Sequence, residues 1–439
     1  MAEYNKLTPE LIEELKGIVG EANCYVGDDI SADYSHDEMP IYGEQMPEAV
    51  CLPASTAEVA AIMMLCNDNK IPVTVRGAGT GLVGGATPLF GGVVLCTMRM
   101  DKILYYDMNN LLVHVQPGVR LCDLAADALE HDLMYPPDPG EKTGSLGGNV
   151  STNAGGMRAV KYGTTRDYVL AMTVVLPNGQ ILELGRSVTK TSSGYSLLHL
   201  MIGSEGTLGV ITELTLKLIP NPKEDISFIL PFADIETAIS AVPKIKLAGL
   251  SPQSIEFMER DIVDSSANYT GNKIIPTVID GKDAGAYILV TLDGNDQDEI
   301  FQRAETLAEI GDEIGAYDTL VLSHPADKRA VWEARSAFLT VIEAETDLID
   351  EMDVVVPVDK IPTFLEYAHE VGDKYEVRIR SFGHAGDGNL HIYCCANDMD
   401  EEIFLERTAK VMKAAYEKCT ELRGQVSGEH GIGHAKKEY

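Results

Sequence analysis

Thr143-Gly144-Ser145-Leu146-Gly147-Gly148-Asn149-Val150-Ser151-Thr152-Asn153-Ala154-Gly155-Gly156 follows closely on Pro136-Pro137-Asp138-Pro139-Gly140. A packed core gains nothing from such a run of small polar residues and glycines. A long flat ligand does, because glycine lets the backbone approach a ring edge or a phosphate closely. A flexible linker is the competing reading. It fits poorly, since Leu146 and Val150 interleave apolar side chains and the prolines stiffen the segment.

Two further glycine loops flank this one. Arg76-Gly77-Ala78-Gly79-Thr80-Gly81-Leu82-Val83-Gly84-Gly85 comes straight after a strand-like run, Pro72 to Arg76. Glycines this dense let successive N–H groups turn towards one point, a nest suited to a pyrophosphate. The loop lacks the lysine and spacing of a P-loop and the three-glycine spacing of a dinucleotide fold. Taken alone, it reads equally as a plain glycine-rich turn. Ile202-Gly203-Ser204-Glu205-Gly206-Thr207-Leu208-Gly209-Val210-Ile211 is a third loop, and it feeds an alternating strand from Val210 to Ile219.

Three such motifs, separated and in this order, resemble the FAD-binding domain of the vanillyl-alcohol-oxidase type of flavoprotein, over roughly Glu48 to Ile219. The resemblance implies that the first loop wraps the pyrophosphate, the second lies along the flavin and the third meets the isoalloxazine and ribityl region. The residues it assigns to FAD are Arg76, Gly77, Ala78, Gly79, Thr80, Gly81, Pro137, Asp138, Gly144, Ser145, Gly147, Gly148, Ser151, Asn153, Gly155, Glu205, Gly209 and Ile211. Members with covalent flavin carry a histidine in the first loop, and Gly77 to Gly81 holds none, so non-covalent FAD is expected.

Around these motifs the first half reads as short strands, turns and helices. Thr8-Pro9-Glu10 starts a helix with Leu11, Ile12, Leu15 and Val19 as its stripe, and Ser55 to Glu58 is a capping box before Val59, Ile62, Met63 and Cys66. Glu48 to Leu52 and Leu111 to Gln116 read as strands, with a helix through Leu121, Leu124 and Leu129 after the latter. Asn178-Gly179 supplies the tight turn of a hairpin from Met172 to Leu184. Past Pro222 the glycines thin out. Ile226 to Leu230, Ile235 to Ile245 and Ser254 to Met258 make a strand–helix–strand unit, and Tyr287 to Leu292, Gln297 to Ile314 and Leu320 to Leu322 make a second. A helical crossover from Lys328 to Glu345, a strand at Val354 to Val356 and a helix at Ile361 to Val371 follow. Val377 to Phe382 and Leu390 to Cys394 then bracket a Gly-Asp-Gly turn, and Glu401 to Leu422 is a long amphipathic helix. The expected class is α+β: residues 1–220 form an FAD-binding domain of two α+β subdomains, 221–425 a cap whose antiparallel sheet is covered by helices, and 426–439 a segment returning to the FAD domain.

The second half carries its own motifs. In Gly383-His384-Ala385-Gly386-Asp387-Gly388-Asn389-Leu390-His391 the two histidines are seven apart, which on a straight strand would send them to opposite faces. The Gly-Asp-Gly bend can bring both imidazoles to one side. Two unrelated structural histidines are the alternative. Ser427-Gly428-Glu429-His430-Gly431-Ile432-Gly433-His434 adds a carboxylate, and two imidazoles with one carboxylate leave open positions on Zn²⁺, Fe²⁺ or Mn²⁺.

Both motifs resemble the 2-hydroxy-acid branch of the same flavoproteins: the D-lactate, glycolate and D-2-hydroxyglutarate dehydrogenases. The match implies that His384, His391 and Glu429 hold one divalent metal, Fe²⁺ or Zn²⁺, and that His430 is the catalytic base. It aligns Arg335, in Trp332-Glu333-Ala334-Arg335, with the arginine that grips the substrate carboxylate, a task suited to a bidentate guanidinium. Members that take a dicarboxylic acid carry a threonine one turn after the arginine and a lysine further on. Leu339 and Glu351 stand there instead, which favours a small monocarboxylic 2-hydroxy acid such as lactate. The family usually continues past the Glu-His motif with one more helix, which is then missing or supplied by a partner. Within the branch the chain resembles the anaerobic lactate dehydrogenases that pass electrons to an electron-transferring flavoprotein, the electron-bifurcating type. A glycolate or D-2-hydroxyglutarate dehydrogenase with another acceptor, or a silent flavin relay subunit, is the alternative.

Composition sets the limits. With 35 basic and 68 acidic residues the net charge is -33, which repels phosphate backbones and anionic lipid, so neither nucleic acid nor membrane is an expected partner. No apolar run approaches the roughly 18 residues of a membrane span. The eight cysteines form no C-x-x-C pair, so neither a cluster nor a zinc knuckle is expected, and free buried thiols suit a cytoplasmic protein. A homodimer is compatible with all of this.

Overall fold

The computed structural model describes residues 4–39 and 45–439, which divide into two compact units. The first takes in the described residues up to Gly155, then Thr164–Asn221 and Glu429–Glu438; the second holds Gly156–Gly163, Pro222–Gly428 and Tyr439.

The first unit begins with the helix Pro9–Val19, capped by Thr8, which buries Leu15 and Val19. Its first sheet holds β1 (Cys24–Val26), β2 (Ala49–Cys51), β3 (Val73–Arg76) and β4 (Val93–Cys96) in the order β1-β2-β4-β3, with β2 and β3 both parallel to β4. The helix Thr56–Asp68 makes the crossover and buries Val59, Ile62, Met63 and Cys66, the four positions its period requires. Five antiparallel strands form the second sheet: β5 (Ile103–Asp107) and β6 (Leu112–Val115) on one side, β8 (Val169–Val175) and β9 (Ile181–Gly185) on the other, with β10 (Val210–Lys217) between them. A small pair, β7 (Leu133–Met134) and β11 (Ile219–Pro220), closes the unit. Strands β4 and β5 and the helix Leu146–Thr152 go beyond the sequence expectation.

The second unit is built on one antiparallel sheet of seven strands. It contains β12 (Glu224–Phe232), β13 (Ser254–Glu259), β16 (Ala286–Gly294), β17 (Leu320–Leu322), β18 (Leu348–Val355), β19 (Arg378–His384) and β20 (Asn389–Ala396). The order is β17-β12-β16-β13-β19-β20-β18, so the two strand–helix–strand units interleave rather than stand side by side. A two-stranded hairpin, β14 (Val278–Ile279) with β15 (Lys282–Asp283), lies outside the sheet. One sheet face is mostly apolar. Ile255, Phe257, Met352, Val354, Leu390 and Ile392 pack there with residues of the helices Ile235–Leu247, Gln297–Ile314, Ile361–Tyr375 and Glu401–Glu421. The opposite face packs Met258, Phe382 and Tyr393 with Val331, Ala334 and Phe338 of the helices Pro325–Ser336 and Phe338–Glu345. The expected crossover helix is thus two helices, and β18 starts six residues before the strand foreseen at Val354.

All eight cysteines are free thiols, seven of them buried. No helix among the described residues is long and apolar enough to cross a membrane.

Candidate active site

In the first unit the three glycine loops converge. A Cβ on Gly77 would overlap Ser145 Oγ, and one on Gly144 would lie 3.5 Å from Thr80 Oγ1, so the first two loops touch wherever a side chain is missing. The second and third are tied by main chain: Gly203 N donates to Val150 O at 3.0 Å and Glu205 N to Ser151 O at 2.8 Å. Ser145 caps the helix Leu146–Thr152 by accepting from Gly148 N at 3.2 Å. Gly147 on that helix faces Pro117, whose Cβ would stand 2.6 Å from an added Cβ. Gly79 has φ +83°, open to glycine and strained for other residues. A cradle that side chains would fill, lined by main-chain groups, is what the diphosphate and ring edge of FAD require, so these residues fit that cofactor.

Several assigned residues have side chains already engaged within the unit. Arg76 Nη1 donates to His36 O at 2.5 Å, and Asp138 holds Lys142 at 2.6 Å. Ser151 Oγ donates to Gly147 O, and Asn153 Oδ1 accepts from Arg166 N and Thr164 Oγ1. Gly209 abuts Val174 and Val175, and Ile211 pairs with Val174, both serving the β8–β10 contact. Ala78, Gly81 and Pro137 lie in the same loops, and an added Cβ on Gly81 would come 3.3 Å from Asp37 Oδ2. Glu205 differs most from expectation. Held at φ +51°, it accepts from Ile432 N at 2.8 Å and Gly433 N at 2.7 Å, so its carboxylate anchors the Glu-His-Gly segment. An added Cβ on Gly155 would stand 3.0 Å from Glu429 Oε2, which puts that carboxylate beside the second loop. His430 Nε2 is 4.0 Å from Glu429 Oε1.

In the second unit the hairpin β19–β20 carries the histidine pair. The turn between His384 and Asn389 brings Phe382 opposite His391 and His384 opposite Asn389, so both imidazoles lie on one face. Their ring centroids are 5.4 Å apart and the planes perpendicular. A Cβ on Gly388, at φ +89°, would overlap Val356 O, which explains the glycine in that turn. Both histidines are buried.

Three carboxylates surround the pair; the sequence reading placed Glu351 at a substrate-selecting position and singled out neither Glu256 nor Asp353. Glu256 is fully buried on β13, directly across from His384 in the register set by Phe257 opposite Gly383. Its Oε1 and Oε2 lie 2.8 and 3.0 Å from His384 Nδ1, and Oε2 also accepts from Arg335 Nε at 3.1 Å and Nη2 at 2.8 Å. Burial opposes its charge, yet His384 and Arg335 outweigh that and hold its carboxyl below the usual range. Glu351 Oε1 accepts from Tyr393 Oη at 3.0 Å and sits 3.3 Å from His391 Nδ1. Asp353 accepts from Asn389 Nδ2 at 2.7 Å, Ser427 Oγ at 3.0 Å and Gly428 N at 2.9 Å, fixing the chain one residue before Glu429.

Arg335 departs from the open bidentate fork expected of it. Its Nε–Nη2 edge is committed to Glu256, and its plane lies over Phe382 at 4.5 Å and Phe338 at 5.5 Å. Among the described residues no hydrogen-bond partner meets Nη1. The donor set suits a divalent metal: a histidine whose Nδ1 is held by a carboxylate presents Nε2, the usual arrangement at such sites.

Two family models match the chain, the FAD binding domain over residues 47–185 and the C-terminal domain of FAD linked oxidases over 221–439. The sequence is 54% identical over 437 residues to a D-lactate dehydrogenase of Anaerostipes hadrus, covering 100% of this chain and 92% of that protein. It is 35% identical to the glycolate oxidase subunit GlcD of Bacillus subtilis, covering 99% and 90%. The structure of p-cresol methylhydroxylase superposes with a TM-score of 0.76 at 17% identity, covering 95% of this chain and 89% of the other, and so shares the fold. The chain therefore belongs to the FAD-linked oxidases.

Proposed function

We propose that this enzyme oxidises D-lactate to pyruvate with non-covalent FAD, and that an electron-transferring flavoprotein takes up the electrons. The reading rests chiefly on the 54% identity, sustained over 437 residues, to a D-lactate dehydrogenase. Leu339 and Glu351 support it, because an apolar side chain and a second carboxylate both disfavour a dicarboxylic substrate.

In this reading Arg335 binds the lactate carboxylate through Nη1, the part of its guanidinium that Glu256 does not hold. His384, His391 and Glu429 hold a divalent metal, Fe²⁺ or Zn²⁺, with Asp353 fixing Gly428 immediately before the glutamate. Bound metal supplies Lewis acidity that makes the 2-hydroxyl a better proton donor. His430 takes that proton on its imidazole as the hydrogen leaves C2. Bound FAD supplies the two-electron acceptor for that hydrogen. Phe338 and Phe382 shield the arginine from water, which strengthens its hold on a carboxylate.

Anaerobic bleaching of the flavin absorbance tests this directly, with D-lactate, L-lactate, glycolate and D-2-hydroxyglutarate as the panel. D-Lactate should bleach it fastest. Preferential bleaching by the dicarboxylate would move the substrate assignment, and no bleaching by any of the four would leave a relay subunit. Purified electron-transferring flavoprotein should restore turnover; a quinone that does so while the flavoprotein fails would replace the proposed acceptor.

A further inference from the structure

Glu256 stands where a strand would ordinarily carry an apolar residue, between Ile255 and Phe257, and it has no exposed surface. Burying a carboxylate there costs several kcal/mol unless its partners compensate. Two groups do, and both belong to the proposed substrate site rather than to the core. His384 Nδ1 donates to Oε1 at 2.8 Å, and Oε2 accepts from the guanidinium along its Nε–Nη2 edge.

We propose that Glu256 is the positioning residue for both halves of the site, setting His384 as a metal ligand and Arg335 as a carboxylate receptor. The inference rests on the function proposed above. A carboxylate at Nδ1 keeps the proton on that nitrogen, so His384 offers Nε2 to the metal. The same carboxylate holds one edge of Arg335, whose Cζ lies over the Phe382 and Phe338 rings, and leaves Nη1 as the donor it does not engage. The contribution of Arg335 to substrate recognition is then a directed donor, and the distance between that donor and the metal ligand is set by one side chain. A buried ion pair kept for stability alone is a weak device, since apolar residues of similar volume often do as well. One whose two partners are both assigned to the proposed site is accounted for by their positioning.

Glu256→Gln is the test. Glutamine has the same shape but offers one acceptor oxygen and one donor amide to two donors, so it serves one partner only. The purified, FAD-loaded variant should bind metal about 10- to 100-fold more weakly in chelator competition, with metal content read by elemental analysis. The ratio of kcat/KM for D-lactate over D-lactamide, which lacks the carboxylate, should fall about tenfold, the size of one charged hydrogen bond. A folded variant with wild-type metal affinity and an unchanged acid-to-amide ratio would overturn the proposal. If this variant does not fold, Glu256→Asp keeps the buried charge but withdraws it by one methylene, and wild-type values for both readouts there overturn it equally. His384→Ala separates the two layers. If that variant also keeps its metal, the metal half of the proposal falls with the metal site, and the acid-to-amide ratio alone decides the Arg335 half.

Discussion

In the first unit the cradle is made of main chain. Gly77, Gly144 and Gly147 have no side chains to intrude, and Val150 O and Ser151 O tie the loops together. In the second unit the polar face is made of side chains, with Glu256, Glu351, Asp353, His384 and His391 projecting from four neighbouring strands. The two constructions fail differently. Main chain is damaged by adding atoms, and a side-chain face by removing a charge. They also differ in tolerance: each loop works as a short local string, whereas the face depends on strand register over residues 254–396.

The largest expected effect tests which construction carries the chemistry. His430→Asn should lower kcat about a thousandfold, within the range for losing a general base, while the flavin spectrum stays intact. Steady-state rates beside the visible spectrum decide it, and near-normal turnover would move the proton acceptor elsewhere. Next comes Gly147→Ala, which sets a methyl against Pro117 where the helix cannot easily yield. Overpacking of about 1–3 kcal/mol predicts roughly 5- to 150-fold weaker FAD retention. The metal content should be unchanged, and its parallel loss would show that the two constructions are not independent. A smaller effect, about tenfold in relative kcat/KM, should come from Leu339→Thr with Glu351→Lys, in favour of D-2-hydroxyglutarate over D-lactate. No change in that ratio would remove these two positions from substrate choice.

The smallest concerns stability alone. His369 pairs with Glu259 at 3.3 Å, and this hydrogen bond raises the imidazole above its ordinary 6.5. A raised value in the folded protein means stability that is full below that ordinary value and lost as pH rises through the folded one. His369 is 37% exposed, so screening limits the gain to about 0.5 kcal/mol. Thermal melts of wild type and His369→Gln should differ at about pH 5.5 and converge by about pH 8.5. A gap that widens with pH would contradict the sign.

The same contrast explains what could be read in advance. Asn178-Gly179 announced the β8–β9 turn, and Ser55 announced its helix by accepting from Glu58 N, because both signals are local. The helix Leu146–Thr152 was hidden by Gly147 and Gly148, each costing about 1 kcal/mol in helix propensity. The Ser145 cap and the close fit at Pro117 override that cost. Strand β18 was shortened in the reading because Asp350, Glu351 and Asp353 disfavour a strand. Tyr393, Ser427 and Asn389, distant in sequence, satisfy two of those acids. The histidine pair was visible in its motif and Glu351 by resemblance, but Glu256 and Asp353 were not. A lone Glu256 inside an apolar strand was the available signal, since such a charge needs partners.

The grip of Glu205 on Ile432 and Gly433 has a consequence for biosynthesis. Glu429–Glu438 belongs to the first unit yet is translated only after residues 222–428, which make up most of the second. Through all of that synthesis the Glu205 carboxylate waits without those two amides, and the Gly155 notch waits without Glu429. The second unit can fold as it emerges, while the first can be finished only afterwards. Maturation thus runs in nested order, and a ribosome pausing before codon 429 leaves the last stage of assembly undone.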